Sequence, residues 1–231
     1  MQIPCHFARF HGVTAVPTSA TRVPFSEKKR STFVLTHTVV TRVEIDGRSW
    51  TVKDFSSRPR WVRFFIGPFL LNRELSILSH LTGIDGVSQE FFRIDRDALA
   101  VLFMDGNDIF DKPSLVTPVF LEALEDLLQA VHARDIVHLD VRGMGNVIVR
   151  PDGTPGVIDF QASLFTGRMP KFLRRFLEDI DMSGAFKKWL QFQPEAMSDE
   201  RRKELARINR LRRFWVFRGY FGLKRPKQAT P

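Results

Sequence analysis

The segment HLDVRGMGNVIVRPDGTPGVIDFQ, residues 138–161, contains two short β-branched runs separated by a turn signal. The runs are residues 147–149 and 157–158, and the Asp-Gly pair at 152–153 between them favours a β-hairpin. Such a hairpin would bring Asn146 and Asp159 to the same end of the strand pair. Because carboxylate and amide oxygens suit Mg²⁺, the segment predicts a magnesium site at Asn146 and Asp159.

Asp140 precedes Asn146 by six residues and follows the β-like run 136–138. It is placed to accept a proton from an attacking hydroxyl group, as a general base does. His138 is expected to hold this loop through hydrogen bonds. A metal-ligand role for His138 is disfavoured, because no second His or Cys lies at ligand spacing. Taken alone, Asn146 would equally suit a turn.

The rest of the chain predicts an α+β arrangement, with a mainly antiparallel sheet first and helices later. Strands are expected near 38–45, which is rich in β-branched residues, and 49–55, and Asp46-Gly47 between them predicts a first hairpin. Strands are also expected at 91–94 and 98–104, and a turn or hinge at 104–107. Helices are expected at 72–81, from Thr117-Pro118 to about 133, and after Met169.

Size and composition favour a folded protein with an anionic partner. The chain has 231 residues, 43% of them hydrophobic, and a net charge of +9. Its one cysteine, Cys5, fits a reducing compartment. The N-terminus does not read as a signal peptide, and the densest apolar stretch, residues 62–71, is too short to cross a bilayer. We therefore expect a cytoplasmic protein, with membrane contact only at its surface.

The order His-x-Asp, downstream Asn and Asp-Phe between His138 and Phe160 resembles the catalytic and metal loops of the protein-kinase-like superfamily. The resemblance covers roughly residues 32–165. It implies ATP and Mg²⁺ as cofactors, a bilobal fold and phosphoryl transfer to a hydroxyl group. It also implies that Lys53 holds the α- and β-phosphates and pairs with Glu74. Met104, at the predicted hinge, is expected beside the nucleotide.

The sequence departs from that superfamily at three points. No Gly-x-Gly-x-x-Gly precedes Lys53, so phosphate contacts would fall to other donors. The candidates are Ser31, Thr32, Thr36 and Thr38. The catalytic loop has one extra residue and carries Arg142, which suits either a transferred phosphoryl group or a solvated loop charge. Gln161 stands where Gly follows Asp-Phe, and few residues remain for an activation segment.

These departures are similar to the bacterial lipopolysaccharide kinases, which phosphorylate Kdo or heptose sugars at the cytoplasmic face of the inner membrane. The resemblance implies one kinase-like domain over residues 1–231. A small antiparallel N-lobe would span about 15–105, and a truncated helical C-lobe about 106–231. A sugar or lipid acceptor is preferred to a protein. The alternatives are a compact serine/threonine protein kinase and a nucleotide-binding pseudokinase module.

A basic, aromatic tail spans about residues 200–225. Leu205, Ile208, Leu211 and Trp215 recur at helical spacing, which suits an anionic membrane surface. A helix that packs on the C-lobe with its basic side in water is slightly favoured, and the two interpretations are compatible. Nucleic acid is a weaker candidate, because no RNA- or DNA-binding motif accompanies the basic residues.

Overall fold

The computed structural model of the chain describes residues 21–23, 39–45 and 47–212. The fold is α+β, with antiparallel strands and several helices, as the sequence predicts. Two compact units divide the chain. The first comprises residues 1–68 and 90–103, and the second residues 69–89 and 104–231.

The first unit contains a five-stranded antiparallel sheet in the order β1-β2-β3-β5-β4. Its strands are β1 (Thr21–Val23), β2 (Val39–Ile45), β3 (Arg48–Asp54), β4 (Phe91–Arg93) and β5 (Ala98–Leu102). Ile45 pairs with Arg48, so β2 and β3 form the predicted hairpin. Gly47 lies in its turn with φ 74°, a conformation that glycine adopts without steric cost. Residue 38 and Asp46 lie outside the described residues.

The core of the first unit lies along β3 and β5. Trp50 and Leu99 are buried there, and Trp50 packs edge-on against Phe92 with ring centroids 5.0 Å apart. Phe55 is fully buried just beyond β3, and its backbone N–H donates to the carbonyl of Asp97. This pairing ties the end of β3 to the turn that precedes β5.

The second unit is mainly helical. Its elements are α1 (Gly67–His80, of which the first two residues belong to the first unit), β6 (Asn107–Asp108), α2 (Pro118–His132), β7 (Ile136–Val137), β8 (Val147–Val149), β9 (Pro155–Val157), β10 (Leu164–Phe165), α3 (Lys171–Phe192) and α4 (Asp199–Arg212). Strands β6, β8 and β9 form one small sheet, and β7 pairs with β10. No helix in the described part of the chain has the length and apolarity needed to cross a membrane.

Helix α2 begins where the sequence predicts. The Thr117 hydroxyl accepts a hydrogen bond from the Phe120 N–H at 3.1 Å, and Pro118 occupies the first turn. Both features stabilise a helix start, because the first backbone N–H groups have no partner within the helix. Leu124, Leu128 and Val131 form the buried face.

Helix α1 begins earlier than residue 72, so the predicted start is wrong. Residues Val62–Ile66 form a π-helical turn that runs directly into α1 at Gly67. The Gly67 N–H donates to the Val62 carbonyl, five residues back. Gly67-Pro68 is typical of a helix break in a sequence, but here both residues lie in the first turn of α1.

Candidate functional site

The hairpin between β8 and β9 brings Asn146 and Asp159 to one end. Val147 pairs with Val157, and the Ile158 N–H donates to the Asn146 carbonyl at 3.1 Å. Asp159 follows at once in a left-handed conformation, with φ 66° and ψ 71°. That conformation is uncommon outside glycine, and aspartate is one of the residues that adopt it more readily. The Asp159 carboxylate caps the short helical turn that follows by accepting from the Gln161 N–H at 3.4 Å.

His138 is fully buried and connects the loop to this hairpin. Its Nδ1 lies 3.3 Å from the Asp140 N–H, and its Nε2 lies 3.1 Å from the Ile158 carbonyl. A backbone N–H can only donate, so Nδ1 accepts and Nε2 carries the proton that it donates to Ile158. The ring also packs edge-on against Phe160 at 4.7 Å. The hydrogen bonds expected of His138 are therefore present.

Asp140 and Asn146 are in direct contact. The Asn146 Nδ2 donates to the Asp140 carboxylate at 2.7 Å and to the Asp140 carbonyl at 3.2 Å. Both contacts use the amide nitrogen, which leaves the Asn146 oxygen as an acceptor. A Cβ atom on Gly143 would lie 2.9 Å from the Asp140 carboxylate. Glycine at residue 143 therefore lets the longer loop pass close to the carboxylate without displacing it.

Helix α3 supports the loop through Asp181, which the sequence reading missed. This carboxylate is 1% exposed and accepts from the His138 N–H at 2.5 Å and the Leu139 N–H at 2.6 Å. The His132 Nε2 lies 3.1 Å from it. Leu139 has φ 66°, so the loop is held in a conformation that a leucine rarely adopts. Asp181 fixes the backbone immediately before Asp140.

Two further positions of α3 contact the same loop. A Cβ atom on Gly184 would lie 3.0 Å from the Arg142 backbone nitrogen, so glycine permits this close approach. The Lys188 Nζ donates to the Gly143 carbonyl at 3.3 Å. Asp181, Gly184 and Lys188 are spaced at i, i+3 and i+7, which places them on one helix face. That spacing was visible in the sequence, but a charged helix face normally indicates solvent rather than a buried loop.

Burial lowers the pKa of Lys188 to about 8 from its ordinary value of 10.5. Neighbouring Lys187 lowers this pKa further, whereas Asp108 and Asp140 act in the opposite direction. The amine also lies 5.4 Å from the centroid of the Phe110 ring. A buried, partly neutral amine therefore lies beside the Asp140 loop.

Arg142 is directed toward α3. Its Nη1 donates to the Ser183 hydroxyl at 3.1 Å and lies 3.4 Å from the Ser183 carbonyl. The side chain is half-buried. A fully solvated loop arginine would not make these two contacts with Ser183.

The remaining predicted residues lie on both units. Lys53 is buried on β3 of the first unit, at the position that pairs with Val40 and Leu99. Glu74 is 2% exposed on α1 of the second unit, as its place on the apolar helix face predicts. Met104 is the first residue of the second unit after the boundary at Phe103. The hydroxyl residues proposed for phosphate contacts, Ser31 to Thr38, lie outside the described residues.

The oxygen donors at this end of the hairpin fit Mg²⁺. One carboxylate residue, Asp159, and one amide residue, Asn146, lie at this end, and Mg²⁺ commonly takes one or two such ligands together with substrate phosphates. Within the described ranges, no group of three or more His, Cys, Asp or Glu side chains could hold a metal ion without such phosphates.

The described part of the tail packs on the protein. In α4, Leu205 and Ile208 are buried, and the helix contacts α3. Arg201 donates to Glu125 at 2.8 Å and lies 4.5 Å from the Trp189 ring centroid, and Arg207 pairs with Asp179. This supports the packing interpretation for residues 199–212. The continuation from 213, with Trp215, lies outside the described residues.

Comparison with known proteins identified no matching family model and no similar curated protein.

Proposed function

We propose that this protein is an ATP-dependent kinase of the protein-kinase-like type, with an antiparallel N-lobe and a truncated helical C-lobe. The observation that carries the proposal is the contact between Asp140 and Asn146 in a loop that Asp181 holds by its backbone. Asp159 lies at the neighbouring hairpin end. Phosphoryl transfer depends on positioning and charge neutralisation, and this cluster supplies both kinds of group.

In this proposal Asp140 is the general base that accepts the proton of the attacking hydroxyl group. The Asn146 amide donates to the Asp140 carboxylate at 2.7 Å and so orients it. The Asn146 oxygen and the Asp159 carboxylate would hold Mg²⁺, which neutralises phosphate charge when bound. Arg142, whose guanidinium is held at Ser183, would contribute positive charge next to the general base. His138 positions the loop and does not touch the substrate.

The nucleotide-binding roles of Lys53, Glu74 and Met104 follow from the resemblance alone. Lys53 would bind the α- and β-phosphates, and Glu74 would orient it. The burial of both side chains supports these roles, because a charge is rarely buried without a function or a partner. Met104 would contact the base, as the resemblance implies for the residue at the predicted hinge.

A sugar or lipid hydroxyl, such as that of a lipopolysaccharide-core Kdo or heptose, is the preferred acceptor. The short length of the segment between Asp159 and α3, which begins at Lys171, supports this preference. A regulated protein kinase needs a longer segment there to bind a peptide and carry phosphorylation sites. A compact protein kinase remains the second candidate, favoured by the same catalytic residues.

The test offers γ-labelled ATP and Mg²⁺ to the full chain, with a lipopolysaccharide-containing lipid extract in one arm and a protein lysate in the other. We expect label in the glycolipid fraction. Asp140→Asn should lower turnover about 10²–10⁴-fold while ATP affinity changes little. Asp126→Asn, an exposed change on α2, is the matched control and should retain full activity.

Three outcomes would redirect the proposal. Label only in the protein fraction would assign the second candidate. Turnover unaffected by Asp159→Ala would exclude metal-assisted catalysis at this site. ATP binding without turnover in either arm would identify a pseudokinase module.

A further inference from the structure

The first unit carries an aromatic surface that neither the fold nor the proposed site uses. Trp61, Phe64 and Phe65 are 51%, 48% and 77% exposed. Arg60 and Arg96 line the same shallow groove, whose volume is about 430 Å³. We call these five residues the aromatic-arginine surface. Large exposed apolar patches on a folded protein commonly mark an interaction site.

The π-helical turn, Val62–Ile66, exposes these aromatic rings. The Gly67 N–H donates to Val62 five residues back, which places Val62 and Gly67 on the buried side. A Cβ atom on Gly67 would lie 3.0 Å from the Phe55 ring, so the turn is pressed against the core there. Trp61, Phe64 and Phe65 occupy the remaining side at i, i+3 and i+4. Their exposure follows from backbone geometry and is therefore a fixed property of the unit.

The arginines are held beside the aromatic rings. The Arg96 guanidinium lies 4.3 Å from the Phe64 ring centroid and donates to the Phe64 carbonyl at 3.4 Å. In a regular helix this carbonyl would accept from residue 68, which is Pro68 and has no N–H. Arg96 donates to this carbonyl from a distant position in the sequence, which places its charge at the edge of the aromatic groove.

The nearby carboxylates do not neutralise these arginines. Asp97 accepts from Arg63 at 2.6 Å. Asp95 accepts from two backbone N–H groups of its own turn, those of residues 97 and 98. Within the described part of the chain, neither Arg60 nor Arg96 has a carboxylate within salt-bridge distance. The surface thus combines apolar rings with uncompensated positive charge.

We propose that the aromatic-arginine surface docks the protein on an anionic lipid bilayer. Tryptophan and phenylalanine insert at the boundary between headgroups and acyl chains, and arginine keeps its charge at the lipid phosphates. The net charge of +9 favours the same partner. A protein helix would more often meet a groove closed on two sides, whereas this groove is shallow and open. The proposal rests on the first unit alone and does not depend on kinase activity.

The experiment measures binding of the full chain to vesicles of phosphatidylglycerol and phosphatidylethanolamine, with phosphatidylcholine vesicles as the neutral comparison. We expect binding to the anionic vesicles that weakens as salt is raised. Phe65→Ala should weaken it about tenfold or more. Arg60→Ser and Arg96→Ser should each weaken it about fivefold. The unfolding midpoint of each variant is measured alongside, and Phe65→Ala should leave it nearly unchanged because that ring is exposed.

Matched controls separate this surface from the rest of the molecule. Phe172→Ala removes an equally exposed ring, 77%, at the start of α3 in the second unit. Lys112→Ser removes an exposed positive charge elsewhere. Both variants should bind as the parent protein does. Tryptophan emission should shift to the blue on binding, and Trp61→Phe, but not Trp215→Phe, should abolish most of the shift.

Three results would overturn the proposal. One is equal binding by the Phe65→Ala and Phe172→Ala variants. Another is an emission shift that disappears with Trp215→Phe, which would assign membrane contact to the tail. The last is self-association of the full chain without lipid that Phe65→Ala abolishes, which would assign the surface to a second copy of the chain.

Discussion

Asp181→Asn tests whether α3 holds the catalytic loop, because it keeps the side-chain shape and replaces one acceptor oxygen by an NH₂ group. The carboxylate accepts from the His138 and Leu139 N–H groups through different oxygens, at 2.5 and 2.6 Å. Whichever way the new amide turns, its NH₂ faces one of these donors. One buried N–H then lacks an acceptor, and the other loses a charged one.

The cost of this substitution can be worked from those contacts. A buried unsatisfied donor costs about 1–3 kcal/mol, and a charge-assisted hydrogen bond contributes about 1.5–3 kcal/mol, part of which a neutral oxygen retains. We therefore expect a loss of about 2–4 kcal/mol. For a chain of this size that lowers the unfolding midpoint by about 5–15 °C. Leu139, at φ 66°, should relax first.

The assay is thermal unfolding of the full chain, followed by ATP turnover at a temperature where the variant is folded. Because a displacement of about 1 Å can cost 10²-fold in rate, turnover should fall further than ATP affinity. The matched control is Asp179→Asn on the same helix, whose carboxylate pairs with Arg207 near the surface. That variant should lose at most about 1 kcal/mol. A midpoint for Asp181→Asn equal to that of the control would refute the reasoning.

Two other predictions concern stability. The pKa of Lys188, about 8, lies below the 10.5 of an exposed lysine, so the unfolded chain binds more protons between these pH values and the free energy of unfolding rises as pH increases through them. This rise amounts to at most about 3 kcal/mol and should be absent from Lys188→Met. Denaturant unfolding of the parent protein and the variant is compared from pH 7 to 10; free energies of unfolding that change in parallel with pH would contradict the prediction. Thr117→Ala removes the hydroxyl that caps α2 and should cost about 1 kcal/mol in the same assay, whereas Thr117→Ser should restore nearly all of it.

The first hairpin and helix α2 were predictable because their signals are local. An Asp-Gly turn between two strand-like segments, and a Thr-Pro helix start, specify backbone conformation within a few residues. The start of α1 was not predictable by the same means. The π-helical turn packs against Phe55 at Gly67, and its Phe64 carbonyl accepts from Arg96; both partners lie outside the helix pattern.

The candidate site likewise contains residues that the sequence could bring together and residues that it could not. Asn146 and Asp159 could be brought together from the sequence because one tight hairpin joins them. Asp181 and Lys188 could not, since a helix pattern alone does not tell whether a polar face meets water or a buried loop. Their contacts with residues 138–143 span more than 40 positions, and only the packed chain creates them.

By itself, the sequence determined the hairpin of β2 and β3, helix α2 and the polar residues of the hairpin segment, because each depends on turn chemistry or periodicity over a short range. The tertiary structure decided how the Asp140 loop is held, which apolar residues are buried and which remain on the surface. It placed Leu205 and Ile208 of the tail helix against the protein and left Trp61 and Phe65 exposed. The physical reason is that burial depends on which distant surfaces meet, and no local pattern records that.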